Sequence, residues 1–151
     1  MVVWRIVKTR YANSAFNGEG AERYGGRWNS MGVPAVYAAE SRALAILELL
    51  VHASGLLPAY ALISADIPDN LIEHLPQKDV PSDWRTQPHS PGARHLGDRW
   101  LRSDKDYPVL CVPSAIVPEE KNYLLDPRHP RFGELRIGKP TKTILDRRLK
   151  R

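Results

Sequence analysis

The sequence predicts an α+β fold in a single compact domain over residues 1–151. Three observations lead there. Short alternating apolar runs mark several strands, helical stretches fall between some of them without a regular rhythm, and 151 residues supply one real core but not two ordinary domains. A doubly wound sheet would need strand and helix to alternate throughout.

Residues 2–7 open as a strand, with Val2, Trp4 and Ile6 on one face and Arg5 on the other. Residues 12–32 hold Gly18, Gly20, Gly25, Gly26 and Gly32 among polar side chains, which predicts a loop. A short strand through Val36 and Tyr37 follows. Ser41 then caps a helix that runs to about His52 and is ended by Gly55 and Pro58. That helix is apolar on nearly every side, as expected of an element covered by the rest of the domain. Residues 59–67 alternate as a strand, and 76–91, with Pro76, Pro81, Pro88 and Pro91, predict an exposed loop. A helix over 92–102 would bury Leu96, Trp100 and Leu101. Strands are expected over 109–116, broken by Pro113, over 122–125 and over 143–145.

Hydrophobic residues at 42% and charged residues at 26% are ordinary for a soluble domain and argue against disorder. No apolar run approaches the roughly 20 residues that span a bilayer, and Arg5, Lys8 and Arg10 precede no long apolar stretch. Secretion and membrane insertion are therefore not expected. Cys111 is the single cysteine, so no internal disulfide forms, and a packed thiol suits a reducing cytoplasm. The net charge of +5 draws anions such as a dinucleotide, a nucleic acid or an acidic protein, without choosing among them. The basic run Arg147-Arg148-Leu149-Lys150-Arg151 reads as a solvated tail.

Glu48 is the residue that composition does not explain. It interrupts the run Ala43-Leu44-Ala45-Ile46-Leu47-Glu48-Leu49-Leu50-Val51, where its helical neighbours at three and four residues are Leu44, Ala45, Val51 and His52. A glutamate there needs a partner. Arg27, in Gly25-Gly26-Arg27-Trp28-Asn29-Ser30, is the obvious one, and its fork of donors also suits phosphate oxygens. Gly25 and Gly26 permit a positive φ or a close backbone approach. Tyr37 offers an aromatic face, and Ser114 a hydroxyl at a strand end without the glycine-flanked turn of a nucleophile. The five histidines are scattered and match no metal-binding spacing, so no metal is expected; Asp98, Asp104 and Asp106 read as a solvated face.

Together, Trp4-Arg5-Ile6, Gly18-Glu19-Gly20-Ala21, the Gly25 to Ser30 segment with Gly32 and Pro34, Val36-Tyr37, Ala45 to Leu49 around Glu48, and Val112-Pro113-Ser114-Ala115 resemble the RES domain family. The resemblance continues through Asn122-Tyr123-Leu124-Leu125 and His129-Pro130 to Asp146-Arg147-Arg148-Leu149, and departs at Asp126, where asparagine is commoner. It implies a mixed, mostly antiparallel sheet core like that of ADP-ribosyltransferases. It also implies the toxin of a bacterial toxin–antitoxin pair, acting in the cytoplasm to deplete NAD⁺ by cleaving the nicotinamide–ribose bond with water or phosphate as acceptor. The implied partner is a helix-turn-helix antitoxin of Xre type, giving a hetero-oligomer that meets nucleic acid only through that antitoxin. Arg27, Glu48 and Ser114 match the family's named triad, and Arg5, Gly26, Arg27, Tyr37, Ser114 and Asn122 are the implied substrate-binding positions.

The resemblance agrees with the chemistry. Departure of nicotinamide builds positive charge on the ribose, which a carboxylate opposes. In that reading Glu48 faces the ribose, Arg27 holds the pyrophosphate, Tyr37 stacks on nicotinamide or ribose, and Ser114 fixes the amide or a phosphate. Two alternatives keep their own motives: ADP-ribosyl transfer to a protein uses the same pocket, and a nucleic-acid-binding or RNA-cleaving toxin would use the basic balance.

Overall fold

A computed structural model describes residues 1–55 and 59–149. The helix stop expected at Pro58 and the tail residues Lys150 and Arg151 lie outside the described residues. One mixed sheet of eight strands organises the chain: β1 (Val2–Lys8), β2 (Val36–Ala39), β3 (Tyr60–Asp66), β4 (Ile72–His74), β5 (Val109–Pro113), β6 (Lys121–Leu125), β7 (Arg136–Ile137) and β8 (Thr141–Thr143). Their order is β4-β5-β6-β2-β1-β3-β7, with β8 also on β3. Only β4 and β5 run parallel. The helices are α1 (Glu19–Tyr24), α2 (Arg42–His52) and α3 (Pro91–Arg102). The α+β expectation holds, as does the predominance of antiparallel pairing.

Alternation along the central strands gives the sheet two apolar faces. Val3, Val36, Ala38, Ala65, Cys111, Tyr123 and Leu125 build one core with Ile67, Leu71 and Leu135. The opposite face is divided. Trp4, Ile6 and Ala39 meet Leu44 and Ala45 of α2, whereas Leu110, Val112 and Leu124 meet Ala93 and Leu101 of α3 together with Trp28 and Val33. Register places Asn122 opposite both Ala39 and Val112, on the line between these clusters.

Several elements differ from expectation. Strand β1 alternates weakly because both faces are covered: Trp4 and Ile6 lie under α2, and Val3 belongs to the opposite core. The glycine-rich stretch holds α1, with Gly18 at its start and Gly25 at its end in positive φ. Helix α2 buries Leu44 and Ala45 but leaves Val51 55% exposed, so it is covered along one stripe only. Helix α3 starts at Pro91, a favoured first helical residue, with Ser90 accepting the Ala93 amide. It buries Ala93, Gly97 and Leu101, while Leu96 and Trp100 are partly covered. The last strand lies earlier than expected, over Thr141–Thr143, and Leu145 is buried just beyond its end. Strands β4 and β7, of three and two residues, are too short to show a period.

Candidate functional site

Helix α2 sets the geometry. Ser41 accepts the Leu44 amide at 3.0 Å and fixes the first turn. Leu44 and Ala45 press onto the sheet, and Glu48, one turn further along the same face, reaches the sheet where the apolar cover divides. Its Oε1 accepts hydrogen bonds from Ser114 Oγ at 3.0 Å and Asn122 Nδ2 at 2.6 Å. The carboxylate is half-buried, not dry, and its partners are a hydroxyl and an amide. The expected pairing with Arg27 does not occur: among the described residues no ion pair joins them, and Arg27 Nη1 donates instead to the carbonyls of Trp84 at 2.6 Å and Thr86 at 3.3 Å.

Ser114 is fully buried, and every capacity of its hydroxyl is in use. Oγ donates to Glu48 and accepts the amides of Ile116 and Val117, each at 3.2 Å. It is a fixed donor aimed at the acid, with no lone pair left for nucleophilic attack. Asn122 is different. Its Nδ2 must face the carboxylate, and its Oδ1 is then buried with no partner among the described residues. A buried acceptor left unmade costs about 1–3 kcal/mol, which a ligand N–H or O–H would recover.

Tyr37 shares the sheet face of Asn122, since Tyr37 lies opposite Leu124 and Ala39 opposite Asn122. It is a post for the Gly25 to Ser30 loop. Its Oη accepts the Trp28 amide at 3.0 Å and donates to Asn29 Oδ1 at 2.7 Å. Burial, above all, pushes its phenol pKa up. Gly26 is required by proximity, because a Cβ there would lie 2.7 Å from Tyr37 Oη. Arg5 ties the same strand from the other side, with Nε donating to the Ala15 carbonyl at 2.6 Å and Nη1 to the Tyr37 carbonyl at 2.9 Å. Burial lowers its pKa to about 10, which leaves it cationic at neutral pH. The structure thus gathers Glu48, Ser114 and Asn122 by direct contact, joins Gly26, Tyr37 and Arg5 into a second group, and holds Arg27 on the loop after Pro81.

Helix α3 supplies contacts that sequence reasoning missed. A Cβ on Gly97 would fall 1.7 Å from the Trp28 carbonyl oxygen, so the loop packs into a notch that only glycine leaves open. Asp98, expected in a solvated face, accepts the Ser30 amide at 2.8 Å and also its hydroxyl. Arg94 Nη2 donates to the Gly26 carbonyl at 3.4 Å. Asn29, fully buried, donates to the carbonyls of Ala21 and Val33. A glycine inside a helix, with Arg94 three before it and Asp98 one after, was the available signal. The departure at Asp126 is absorbed by a buried ion pair with Lys105 Nζ at 2.8 Å.

Two surface cavities lie apart from the acid. One of about 280 Å³ is bounded by Ser30, Arg94 and Asp98, and one of about 650 Å³ by Lys105, Asp126 and Arg131. Glu48, Ser114 and Asn122 line neither. Among the described residues, no three His, Cys, Asp or Glu side chains gather as metal ligands, and no helix is long and apolar enough to cross a membrane.

Fold and cluster together define an α+β protein whose helix-borne carboxylate is steadied by a buried serine and a strand asparagine. The RES domain model matches residues 2–146, and the chain belongs to the RES domain family. It is 42% identical over 153 residues to Toxin Res of Yersinia enterocolitica, covering 99% of this chain and 100% of that one. It is 44% identical over 129 residues to Toxin Res of Photorhabdus laumondii, covering 84% and 82%. A third relative, the Prs ADP-ribosylating toxin of a Sphingobium species, is 39% identical over 153 residues, covering 97% and 94%.

Proposed function

We propose that residues 1–151 work as one RES-type domain and as the toxin of a toxin–antitoxin pair, consuming NAD⁺ by breaking its nicotinamide–ribose bond. The observation that carries this reading is the Glu48 carboxylate, held by Ser114 and Asn122 beside an unfilled acceptor on Asn122. As the neutral nicotinamide leaves, its C–N bond electrons go with it and the ribose becomes an oxocarbenium ion. Glu48 opposes that charge, and the preorganised donors on its Oε1 keep it in place. The ribose hydroxyls donate to the carboxylate and to Asn122 Oδ1, which ends the latter's isolation. Arg27 holds the diphosphate. Water or phosphate then adds to the ribose carbon.

ADP-ribosyl transfer to a protein is the second reading, favoured by the Sphingobium relative named for that activity. Purified chain incubated with adenylate-labelled NAD⁺, with and without phosphate, separates the outcomes. Label on ADP-ribose or its phosphate ester supports the first reading, and label retained on protein supports the second. Intact NAD⁺ under every condition defeats both. The expected partner is an Xre-type helix-turn-helix antitoxin in the cytoplasm, forming a hetero-oligomer; no metal is required by this chemistry.

A further inference from the structure

Residues 84–86 join two parts of the site that are far apart in sequence. The carbonyls of Trp84 and Thr86 both accept from Arg27 Nη1, so the carbonyls of the residues before and after Arg85 close on one guanidinium nitrogen. The Arg85 side chain reaches the other way, and its Nε donates to the Ala115 carbonyl at 3.1 Å, one residue past Ser114. The segment is rooted. Trp84 packs against the α3 cluster, and Asp83 accepts from Ser90 Oγ at 3.2 Å and the Gly92 amide at 3.0 Å. Arg85 therefore spans from the Arg27 side of the site to the Ser114 side.

Each guanidinium is anchored by one nitrogen and keeps the others. Arg27 uses Nη1, and Arg85 uses Nε; their remaining N–H groups make no hydrogen bond among the described residues, and neither forms an ion pair. The Arg85 guanidinium also lies over the Trp84 ring, 5.9 Å from its centroid, which steadies its plane without using an N–H. A fork so held, with N–H groups left over, is arranged to receive oxyanions. Two cations also match the two negative charges of a dinucleotide's diphosphate.

We propose that Arg85 is a second diphosphate-binding residue, which clamps the substrate together with Arg27. The inference rests on the NAD⁺ reading, because the diphosphate belongs to that substrate. It predicts a loss of binding and not of chemistry: a diphosphate remote from the breaking bond is held alike in ground and transition states.

Steady-state kinetics of Arg85→Ala and Arg85→Lys, with calorimetric binding of ADP-ribose, test the clamp. For Arg85→Ala, the KM for NAD⁺ and the Kd for ADP-ribose should rise about 10- to 100-fold with kcat within about twofold. Lysine should recover part of the loss, since it restores the charge but not the fork. Unchanged KM and Kd, or a fall confined to kcat, overturns the clamp while leaving NAD⁺ cleavage intact. Binding of ADP-ribose that weakens in Arg85→Ala although the parent chain leaves NAD⁺ intact retires the reaction and keeps the clamp. No ADP-ribose binding by the parent chain overturns the clamp outright.

Discussion

Ser114 donates its hydroxyl to the Glu48 carboxylate across 66 residues of chain, and the same oxygen accepts two consecutive backbone amides. The acid on α2 is thus registered against the turn after β5. Substitutions at either end should have different signatures.

Glu48→Gln keeps an acceptor for Ser114 and Asn122 while removing the charge. Turnover of NAD⁺ should fall on the order of a thousandfold, roughly 3–4 kcal/mol of barrier, with the thermal midpoint little changed. An equal loss of folded protein and of activity would mark Glu48 as structural.

Ser114→Ala strands the Ile116 and Val117 amides and takes one donor from Glu48. Chemical denaturation should show a loss of about 1–3 kcal/mol. Turnover per folded molecule should also drop, by less than for Glu48→Gln, because the Asn122 contact remains.

Gly97→Ala sets two effects against each other. Alanine favours a helix interior over glycine by about 1 kcal/mol. Against that, the new Cβ would sit 1.7 Å from the Trp28 carbonyl oxygen, with backbone on both sides. The clash should win, displacing the Gly25 to Ser30 loop and lowering the melting temperature; a more stable variant would show the notch to be loose.

Alkaline titration should uncover two tyrosines. Burial pushes Tyr37 and Tyr123 up from the ordinary phenol value near 10. A group raised in the fold contributes stability below its unfolded pKa and loses it as pH climbs past that value toward the folded one. Arg5, lowered by burial, works in the opposite sense between its folded and unfolded values. With two tyrosines and Cys111, which burial also raises, against one arginine, stability should fall as pH climbs above about 9 to 10. The phenolates of Tyr37 and Tyr123 should form only with unfolding. Phenolate forming at Tyr37 and Tyr123 near about pH 10 in the folded protein would contradict this.

Much of this was readable in the sequence because it left a local mark. Glu48 broke an apolar run, Ser41 stood before a helix, and Gly25-Gly26 announced a turn. What escaped was set by distant contacts. Arg27 was matched to the acid because both were conspicuous, yet its partners are the backbone carbonyls of Trp84 and Thr86, which carry no side-chain signature. Asp98 looked solvated because it lies close in sequence to Asp104 and Asp106 with no calcium-loop pattern; those two are exposed, but only the fold brings Ser30 to Asp98. Helix α2 looked enclosed because periodicity reports how apolar a surface is, not whether anything covers it.

Strand β6 lies between β5 and β2, well inside the sheet, whereas β4, β7 and β8 are short ribbons toward its margins. The side chain that steadies the acid from this strand is therefore insulated from fraying at the rim. Outer ribbons can detach and re-form while Asn122 stays seated, so the acid's footing should be among the last parts of the molecule to come loose on gentle warming.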